Sequence, residues 1–448
     1  MKDEIFRMYD IRGIAETELT DDVVELIGKS YGTLVRNKGI GNEIVVGYDA
    51  RKTSPRIKDA LCKGIISTGI NIVDIGMCPT PLLYFAVFHY SLSGGVMVTG
   101  SHNPKEYNGL KMMIGEETLY GDDIQKIKEI ARKKEFKEGK GIIKKKNVED
   151  DYIEKILSIT YPKRKLKIVL DPGNGTAGAL VSKIFNIIGA DFECIFCEPD
   201  GEFPNHLPDP TIPEYMESLK KKVLETKADF GIGYDGDADR IGVIDDKGDI
   251  VWGDKLLCIF SDFVLKRYPN SYIIFDVKSS QGAAEFIEGK GGRPFMWKTG
   301  HSLIKAKMKE LNSPLAGEMS GHIFFGGDYY GYDDAIFASL RLYDILSNSD
   351  KKISEIVKNI PYYFSTPEIR IETTEEKKWK LVEEVKKHFS KTNKIIDIDG
   401  ARILFGDGWG LVRASNTQPV IVARFEARSK ERCEEIKNIV MEFINEKR

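Results

Sequence analysis

Short apolar runs that end in an aspartate and a loop recur three times along the chain. They are IVVGYD, KIVLD and YIIFD, which end at Asp49, Asp171 and Asp276. Each run is followed by a segment of helical length and then by a glycine-marked turn into a second apolar run. Continuous apolar runs are typical of parallel strands that are buried on both faces of a sheet. The pattern therefore predicts three similar units in which strands alternate with helices.

A third apolar run in each unit leads into a polar motif. The motifs are TGSHNP at residues 99–104, DGDADR at residues 235–240 and GEMSGH at residues 317–322. Strands that alternate with helices form right-handed βαβ units, and such sheets carry their sites at the carboxyl ends of the strands. We therefore expect three α/β domains with mixed parallel sheets, each contributing one part of a site.

The pattern changes after about Pro361. Residues 365–389 predict a strand and a charged amphipathic helix, and residues 397–428 predict three antiparallel strands separated by Gly and Asn turns. Residues 431–447 predict a second amphipathic helix. This part of the chain is therefore expected to be a smaller C-terminal α+β domain, hinged against the rest.

The chain of 448 residues exceeds a single hydrophobic core. The expected seams are the lysine-rich segment at residues 140–150, the turn at residues 249–254, and Pro361. We therefore predict four domains, with the boundaries 1–148, 149–250, 251–362 and 363–448.

Charge and hydropathy exclude several classes of partner. The chain has 66 basic and 69 acidic residues. It therefore lacks the basic excess that would indicate a nucleic-acid partner. The N-terminal MKDEIFRMYDIRG has acids where a signal peptide needs an apolar run, and no segment approaches about 18 consecutive apolar residues. We expect a cytoplasmic protein without membrane association.

Six cysteines are scattered along the chain, which is unlike a disulfide framework. Cys194 and Cys197 form a C-x-x-C, but a redox or zinc site would need a helix start or a second pair nearby. The apolar segment FECIFC predicts a buried strand, so we expect these cysteines to pack in a core.

Ser101 stands in a turn bounded by Gly, Asn and Pro, where serine is usually only a turn residue. It follows the apolar strand GGVMV, and its neighbours Thr99, His102 and Asn103 all form hydrogen bonds. The end of such a strand would project Ser101 into a cleft, which favours a functional role.

Asp235, Asp237 and Asp239 lie within five residues and precede Arg240. An EF-hand is excluded, because its sixth position should be Gly and is Arg240, and its twelfth should be Glu and is Asp246. Carboxylates this close repel one another, so a bound divalent cation is expected. Oxygen ligands with open positions suit Mg²⁺, which can then hold a phosphate oxygen.

Two further segments carry the chemistry of a polar ligand site. If GEMSGH is extended, its alternating Glu318, Ser320 and His322 share one side, where a carboxylate and a hydroxyl can hold adjacent sugar hydroxyls. RASNTQP at residues 413–419 is rich in donors and is either a plain hairpin loop or a phosphate nest with Arg413 as the clamp.

These four motifs, in this order, resemble those of the α-D-phosphohexomutase family, and the likeness extends from YDIRG at residues 9–13 to RASNTQP. The resemblance implies domains arranged around a central cleft. In chain order these are a phosphoserine domain, a metal-binding domain, a sugar-binding domain and a C-terminal phosphate-binding domain. The family carries Gly more often than Ala at the position of Ala238, a difference that touches no ligand.

The resemblance also implies a role for individual residues. The catalytic residues it implies are Ser101, His102, Arg12, Lys111 and Arg240. The implied metal ligands are Ser101, Asp235, Asp237 and Asp239. The implied substrate-binding residues are Tyr9, Lys278, His301, Glu318, Ser320, His322, Arg413, Ser415, Asn416 and Thr417. Proton transfer needs a group of near-neutral pKa or a crowded cation of depressed pKa, and His322, Lys111 and Arg12 all remain candidates.

The implied activity is the interconversion of hexose 1-phosphate and hexose 6-phosphate, with mannose and glucose both accepted. Phosphorylated Ser101 would pass its phosphoryl group to the sugar, giving a hexose 1,6-bisphosphate that also serves as activator. Glu318 and Ser320 would bind the 3- and 4-hydroxyls, which exchange places when the sugar turns end for end. We expect Mg²⁺ as cofactor and a monomer or small homo-oligomer.

Three alternatives remain open at this point. Phosphoglucosamine mutases of the same family usually have Gln or Pro at the position of Met319 and Ala at the position of Gly100, which speaks against that activity. A serine-nucleophile sugar phosphatase would have no use for two phosphate sites at opposite ends of the chain. A non-catalytic binding or regulatory paralogue is disfavoured because all four motifs are intact.

Overall fold

The computed structural model of the chain describes residues 1–415 and 419–447. Its contacts group the chain into two units. The first unit comprises Met1–Gly253 together with Ser320–Val357, and the second comprises Asp254–Met319 together with the chain from Lys358 onward. The GEMSGH segment is therefore divided, with Glu318 in the second unit and both Ser320 and His322 in the first.

The N-terminal part of the first unit has a mixed sheet with helices packed against it. Its elements are β1 (Ile11–Ile14), α1 (Asp21–Lys38), β2 (Glu43–Tyr48), α2 (Ser54–Ile66), β3 (Asn71–Met77), α3 (Thr80–His89), β4 (Gly94–Val98), β5 (Tyr107–Ile114), β6 (Glu117–Thr118), α4 (Asp122–Lys133), β7 (Ile143–Lys145) and α5 (Glu149–Leu157). The strand order is β1-β5-β4-β2-β3-β7, with β6 on β5. The apolar faces of α1, α2 and α4 contribute Ile27, Leu61 and Ile127 to one buried core.

The next part of the chain forms a second mixed sheet. Its elements are β8 (Lys167–Asp171), α6 (Gly178–Ile187), β9 (Asp191–Cys194), α7 (Glu217–Thr226), β10 (Phe230–Tyr234), β11 (Ile241–Asp245) and β12 (Ile250–Val251). The strand order is β12-β11-β10-β8-β9. The short hairpin from β10 to β11 carries the aspartate-rich motif, so that motif lies at the carboxyl end of a buried strand.

The third α/β segment continues the alternation of helices and strands. Its elements are α8 (Gly253–Arg267), β13 (Tyr272–Asp276), α9 (Gln281–Gly289), β14 (Arg293–Trp297), α10 (His301–Leu311) and β15 (Leu315–Gly317), followed by β16 (Ile323–Phe325), α11 (Ala335–Ser347) and α12 (Ile353–Val357). Side chains cap two of the helices: Ser280 accepts from the backbone N–H of Gly282, and Asp334 accepts from that of Phe337.

The C-terminal segment is an antiparallel sheet with two helices. Its elements are β17 (Phe364–Ser365), β18 (Ile369–Glu372), α13 (Glu375–Phe389), β19 (Lys394–Ile396), β20 (Ala401–Leu404), β21 (Gly408–Ala414), β22 (Val420–Ala427) and α14 (Lys430–Lys447). The expected antiparallel meander is formed by strands β20, β21 and β22. The helices contribute Leu381 and Ile436 to the core beneath the sheet.

The threefold repeat is a real feature of the structure. The central strand of each α/β domain pairs in parallel with the two strands that follow it: β2 with β3 and β4, β8 with β9 and β10, and β13 with β14 and β15. Asp49 immediately follows its strand, whereas Asp171 and Asp276 are the last residues of theirs. Three α/β domains and a smaller C-terminal domain are thereby confirmed as the fold class, while the boundaries given above stay a prediction.

One local expectation was wrong, and one condition named above is not met. Cys194 and Cys197 are half-buried and joined as a disulfide across the loop that leaves β9, instead of packing in a core. GEMSGH is not extended, because β15 ends at Gly317 and the chain turns through Gly321, whose φ of +90° is left-handed. Within the described residues, no helix combines the length and apolarity needed to cross a membrane.

Candidate active site

Ser101 lies in the loop that leaves the carboxyl end of β4 and is buried. Its Oγ donates to Asp235 Oδ2 at 2.8 Å and lies 3.1 Å from His102 Nδ1. The backbone φ of Ser101 is +49°, in the left-handed region. For a residue with a side chain this conformation costs about 1–2 kcal/mol, and such strain concentrates at functional sites.

The loop that carries Ser101 is held by the aspartate at the end of the central strand. Asp49 Oδ2 accepts from Thr99 Oγ1 at 2.8 Å and from the backbone N–H of Gly100 at 3.0 Å. The third α/β domain repeats the arrangement, since Asp276 Oδ1 accepts from the backbone N–H of Met319 at 3.2 Å. Asp49 and Asp276 therefore position the motif loops of their domains, whereas Asp171 bonds to Gly173 and His206 instead.

Asp235, Asp237 and Asp239 converge in the turn between β10 and β11, and one carboxylate oxygen from each lies within 4.8 Å of the others. All three are buried. Asp235 Oδ1 accepts from the backbone N–H of Asp239 at 3.0 Å. Thr80 fixes Asp237, because its Oγ1 donates to Asp237 Oδ2 at 2.5 Å and its backbone N–H donates to the Asp237 carbonyl at 2.8 Å.

The carboxylates are too close together to be charged without compensation. Burial raises the pKa of Asp235 well above its usual value, and the neighbouring Asp239 and Asp237 raise it further. The Lys111 ammonium lies 2.6 Å from Asp237 Oδ2 and also contacts Asp239 Oδ2. Burial lowers the pKa of Lys111, but these carboxylates outweigh burial and raise it. Lys111 is therefore charged here and does not meet the condition of a depressed pKa.

The three aspartates fit a hard divalent cation. Among the described residues, the buried oxygens Asp237 Oδ1 and Asp239 Oδ1 have no hydrogen-bond partner. An all-carboxylate donor set suits Mg²⁺. The turn also approaches the serine loop closely, since a Cβ on Gly236 would lie 2.6 Å from the Ser101 carbonyl oxygen. A glycine is therefore required at residue 236 for this approach.

Asp239, His322 and Asp333 form a second cluster of metal-ligating side chains. Arg240 Nε donates to His322 Nε2 at 3.0 Å, so a neutral His322 carries its proton on Nδ1. Nδ1 is the atom that faces Asp333 Oδ2, at 3.2 Å. A protonated Nδ1 is not a ligand, and this cluster is better described as an imidazole oriented by Asp333 and Arg240.

The other predicted residues of the first unit lie on β1 or in nearby turns. Arg12 is on β1 and pairs with Asp10 at 2.5 Å, while Tyr9 is half-buried in the preceding turn. Burial lowers the pKa of His102 well below its usual value, and the charges of Arg240 and Arg12 lower it further. His102 is consequently neutral beside Ser101 Oγ. Ser320, the last predicted site residue of the first unit, lies half-buried in the turn before Gly321.

In the second unit, Glu318, His301 and Lys278 occupy the ends of strands and helices of the third α/β domain. Glu318 is buried, and its Oε1 accepts from the backbone N–H of Gly300 at 2.7 Å, immediately before His301 begins α10. Lys278 follows β13 and lies 3.4 Å from Glu368 Oε2. The Lys278 charge lowers the pKa of Glu368.

Arg413 is buried near the end of β21, in the same unit. Its Nε lies 3.1 Å and a terminal nitrogen 3.0 Å from Asp399 Oδ2. Asp399 Oδ2 also accepts from the backbone N–H of Thr299 at 3.1 Å, so Arg413 and the start of α10 share one carboxylate. Ser415 is buried after β21. Asn416 and Thr417 lie outside the described residues.

Sequence reasoning missed several residues that hold these sites. They are Thr80 on Asp237, Asp333 on His322, Asp399 on Arg413, and Arg51, which bonds to the serine loop. Each acts on a motif residue from outside the motif, and Thr80 and Arg51 are also far from their partners in the sequence. Thr80 follows a Cys-Pro pair and Asp399 precedes a glycine, signals that also mark ordinary turns.

Comparisons with known proteins cover nearly the whole chain. The models described as phosphoglucomutase/phosphomannomutase alpha/beta/alpha domains I, II and III match residues 3–138, 150–248 and 252–363, and the model of the C-terminal domain matches residues 368–443. The phosphomannomutase/phosphoglucomutase of Pseudomonas putida is 42% identical over 98% of this chain and 95% of its own length.

Two further comparisons agree with these matches. The phosphoglucomutase of Neisseria gonorrhoeae is 42% identical over 97% of this chain and 95% of its own length. The crystal structure of a phosphoglucomutase/phosphomannomutase family protein from Burkholderia thailandensis superposes with a TM-score of 0.94 at 39% identity, covering 100% of this chain and 98% of that one.

Proposed function

The chain belongs to the phosphoglucomutase/phosphomannomutase family, and from that premise we propose that it interconverts hexose 1-phosphate and hexose 6-phosphate. It is an isomerase that moves a phosphoryl group within one sugar. The observation that supports this chemistry most directly is Ser101 Oγ, a buried nucleophile 2.8 Å from a carboxylate of the aspartate triad. Mannose and glucose are the proposed sugars.

The proposed cycle begins with a phosphoryl group on Ser101 Oγ. The Oγ–P bond breaks, a bond forms between phosphorus and the free hydroxyl of the bound monophosphate, the hydroxyl proton passes to a base, and Ser101 Oγ takes up a proton as it leaves. The product is a hexose 1,6-bisphosphate. After it turns end for end, its other phosphate returns to Ser101 Oγ by the reverse exchange, and the Ser101 proton is lost. Neutral His102, whose Nδ1 lies 3.1 Å from Oγ, can hydrogen-bond the serine hydroxyl during this exchange.

Positive charge around Ser101 serves the transfer. Lys111 and Arg240 both exert their charge on the aspartate triad, and cations placed before the reaction offset the negative charge of the transferring group. Asp235, Asp237 and Asp239, with Ser101, would hold Mg²⁺, which when bound supplies further charge neutralisation at the phosphoryl oxygens. His322 and Arg12 remain the proposed candidates for the proton acceptor of the sugar hydroxyl, and His322 would accept at Nε2 only after Arg240 Nε, now 3.0 Å away, releases that atom.

The residues of the second unit are proposed to bind the rest of the substrate. Arg413 Nε and a terminal nitrogen both lie near Asp399 Oδ2, at 3.1 and 3.0 Å, which supports the proposal that the same two nitrogens can face a phosphate. We assign the non-transferring phosphate to Arg413, Ser415, Asn416 and Thr417, and the sugar hydroxyls to Glu318 and Ser320. Tyr9, Lys278 and His301 complete the proposed substrate contacts. The proposed compartment is the cytoplasm.

A coupled assay tests the activity and the sugar together. Mannose 1-phosphate, glucose 1-phosphate and glucosamine 1-phosphate are supplied with a catalytic amount of hexose 1,6-bisphosphate, first with Mg²⁺ and then after chelation. We expect formation of the 6-phosphates of mannose and glucose, dependence on Mg²⁺, and no release of inorganic phosphate. Phosphate release without isomer would instead identify a phosphatase, and turnover of the glucosamine ester alone would identify a phosphoglucosamine mutase.

A further inference from the structure

Arg51 lies just beyond β2 in the first unit and is only 1% exposed. A guanidinium has five N–H donors, and each of those in Arg51 has an acceptor. The acceptors are Asp49 Oδ2 at 3.2 Å and the carbonyl oxygens of Ser101 at 2.7 Å, Asn103 at 2.6 Å, Pro104 at 2.6 Å and Tyr107 at 3.1 Å. One side chain thus holds four carbonyl oxygens of the serine loop between residues 101 and 107.

The surroundings of Arg51 leave its guanidinium no other position. A Cβ on Gly100 would lie 2.4 Å from Arg51 Nε, and one on Gly201 would lie 2.7 Å from Arg51 Cα. The ring of Phe203 covers the guanidinium with its centroid 5.2 Å from Cζ. The packing therefore fixes Arg51 from the loop side and from the side of the second α/β domain.

The contact with Ser101 is the one that bears on chemistry. The Ser101 backbone is left-handed, with φ of +49°, and without support it would relax. The direction of its carbonyl and the direction of its Cα–Cβ bond are linked through the same Cα. Holding the carbonyl at 2.7 Å therefore fixes the Cα–Cβ bond from which Oγ reaches Asp235 at 2.8 Å.

We propose that Arg51 is a positioning residue for phosphoryl transfer, which keeps the strained Ser101 backbone in the conformation that aims Oγ at the aspartate triad. The role rests on the proposed mutase function. Arg51 touches neither the transferred group nor the sugar in this account, and it acts only through the serine loop. Its loss should therefore slow the chemical step and leave substrate binding largely intact.

The substitution Arg51→Lys tests the role, because an ammonium has three donors and can satisfy at most three of the five acceptors. A misplacement of about 1 Å at the reacting atom can cost about 100-fold in rate. We expect kcat to fall about 100-fold while KM changes by less than about 3-fold. Arg36→Lys is the matched control, since Arg36 also donates to two carbonyl oxygens of this domain, those of Thr68 and Glu138. Its kcat should stay within about 2-fold of the parent value.

A second variant guards against a simple folding failure. Asp49→Asn keeps the volume of the side chain and the guanidinium of Arg51 but weakens the bonds that Asp49 accepts from Arg51 Nε, Thr99 and Gly100, so kcat should fall by about 10-fold. Because both changes disturb one network, the double variant should be no more than about 2-fold slower than Arg51→Lys alone. The rate at which hexose 1,6-bisphosphate phosphorylates Ser101, followed by intact mass, should fall in parallel with kcat in every variant.

The outcomes separate the two claims. If the parent enzyme turns over and Arg51→Lys has parent kcat, or if its whole defect is in KM, the positioning role is wrong and the mutase function stands. Fully multiplicative losses in the double variant would also overturn the role. If the parent enzyme interconverts neither hexose phosphate, the proposed function fails, and with it the role of Arg51.

Discussion

Replacing Lys111 with Met removes the ammonium that compensates the aspartate triad while keeping the volume of the side chain. The triad carries three formal negative charges beside Lys111 and Arg240, and the Lys111 ammonium contacts Asp237 and Asp239 directly. With Lys111 gone, two negative charges are left without a partner in a buried site. Mg²⁺ carries the charge that would replace the ammonium, so the stability of the variant should depend on this ion.

The magnitude follows from the burial of the pair. Lys111 and the aspartates are at most 4% exposed, and breaking a buried ion pair costs about 3–5 kcal/mol. For a folding unit of this size each kcal/mol lowers Tm by about 2–4 °C, so a fall of about 6–20 °C is expected in the presence of chelator. Mg²⁺ at about 100 times its Kd should raise the free energy of unfolding by about 2.7 kcal/mol.

Thermal unfolding with EDTA and with excess MgCl₂ measures both effects. We expect the Mg²⁺-dependent rise in Tm to be larger in Lys111→Met than in the parent protein, because Lys111 no longer competes for Asp237. Lys58→Met is the control, since Lys58 pairs with Asp74 at 3.1 Å in the same domain and is 16% exposed. Its loss should cost about 1 kcal/mol or less and show no change in Mg²⁺ dependence. A Lys111→Met protein whose Tm ignores Mg²⁺ would refute the cation site.

Three further perturbations have definite expected outcomes. Ala238→Gly should raise Tm slightly, because the φ of +59° at Ala238 costs about 1–2 kcal/mol, which exceeds the entropy cost of glycine, about 0.4–1 kcal/mol. His206→Gln should flatten the pH dependence of unfolding. Burial lowers the pKa of His206, but the pairing with Asp171 outweighs burial and raises it. The stabilisation from this pair is therefore complete below about pH 6.5 and is lost as pH rises through the raised pKa. Arg413→Ala should lower kcat/KM about 30- to 1000-fold, since it removes about 2–4 kcal/mol of bidentate phosphate binding, while Ser101 still becomes phosphorylated. Loss of Ser101 phosphorylation with normal substrate binding would contradict the assignment of Arg413 to binding and of Ser101 to phosphoryl transfer.

The apolar pattern predicted the architecture because each α/β domain repeats it. The runs ending at Asp49, Asp171 and Asp276 became central parallel strands, and continuous burial on both faces is what makes such strands visible in a sequence. The positions of TGSHNP and DGDADR at strand ends followed from the same rule. Convergence of the three aspartates was predictable from their spacing, since they share one turn.

The features that could not be predicted from the sequence depend on backbone conformation and on partners outside the motifs. The turn through Gly321 could not be predicted, because the need for glycine arises from the carbonyl oxygen of Ile241, which a Cβ would approach within 2.3 Å. Arg51 escaped notice because four of its acceptors are backbone carbonyls, which carry no signature in the sequence. The pairing of Cys194 and Cys197 was missed because FECIFC has the composition of a buried strand, yet its residues are only half-buried.

The central claim is that Ser101 carries the phosphoryl group between the two ends of the sugar. Enzyme labelled with ³²P by hexose 1,6-bisphosphate is mixed with excess unlabelled glucose 1-phosphate and quenched within one turnover. The account predicts that the label leaves Ser101 and appears in glucose 1,6-bisphosphate at a rate no slower than kcat, and that Ser101→Ala takes up no label. Label that appears only as inorganic phosphate, or a Ser101→Ala protein with parent activity, would contradict it.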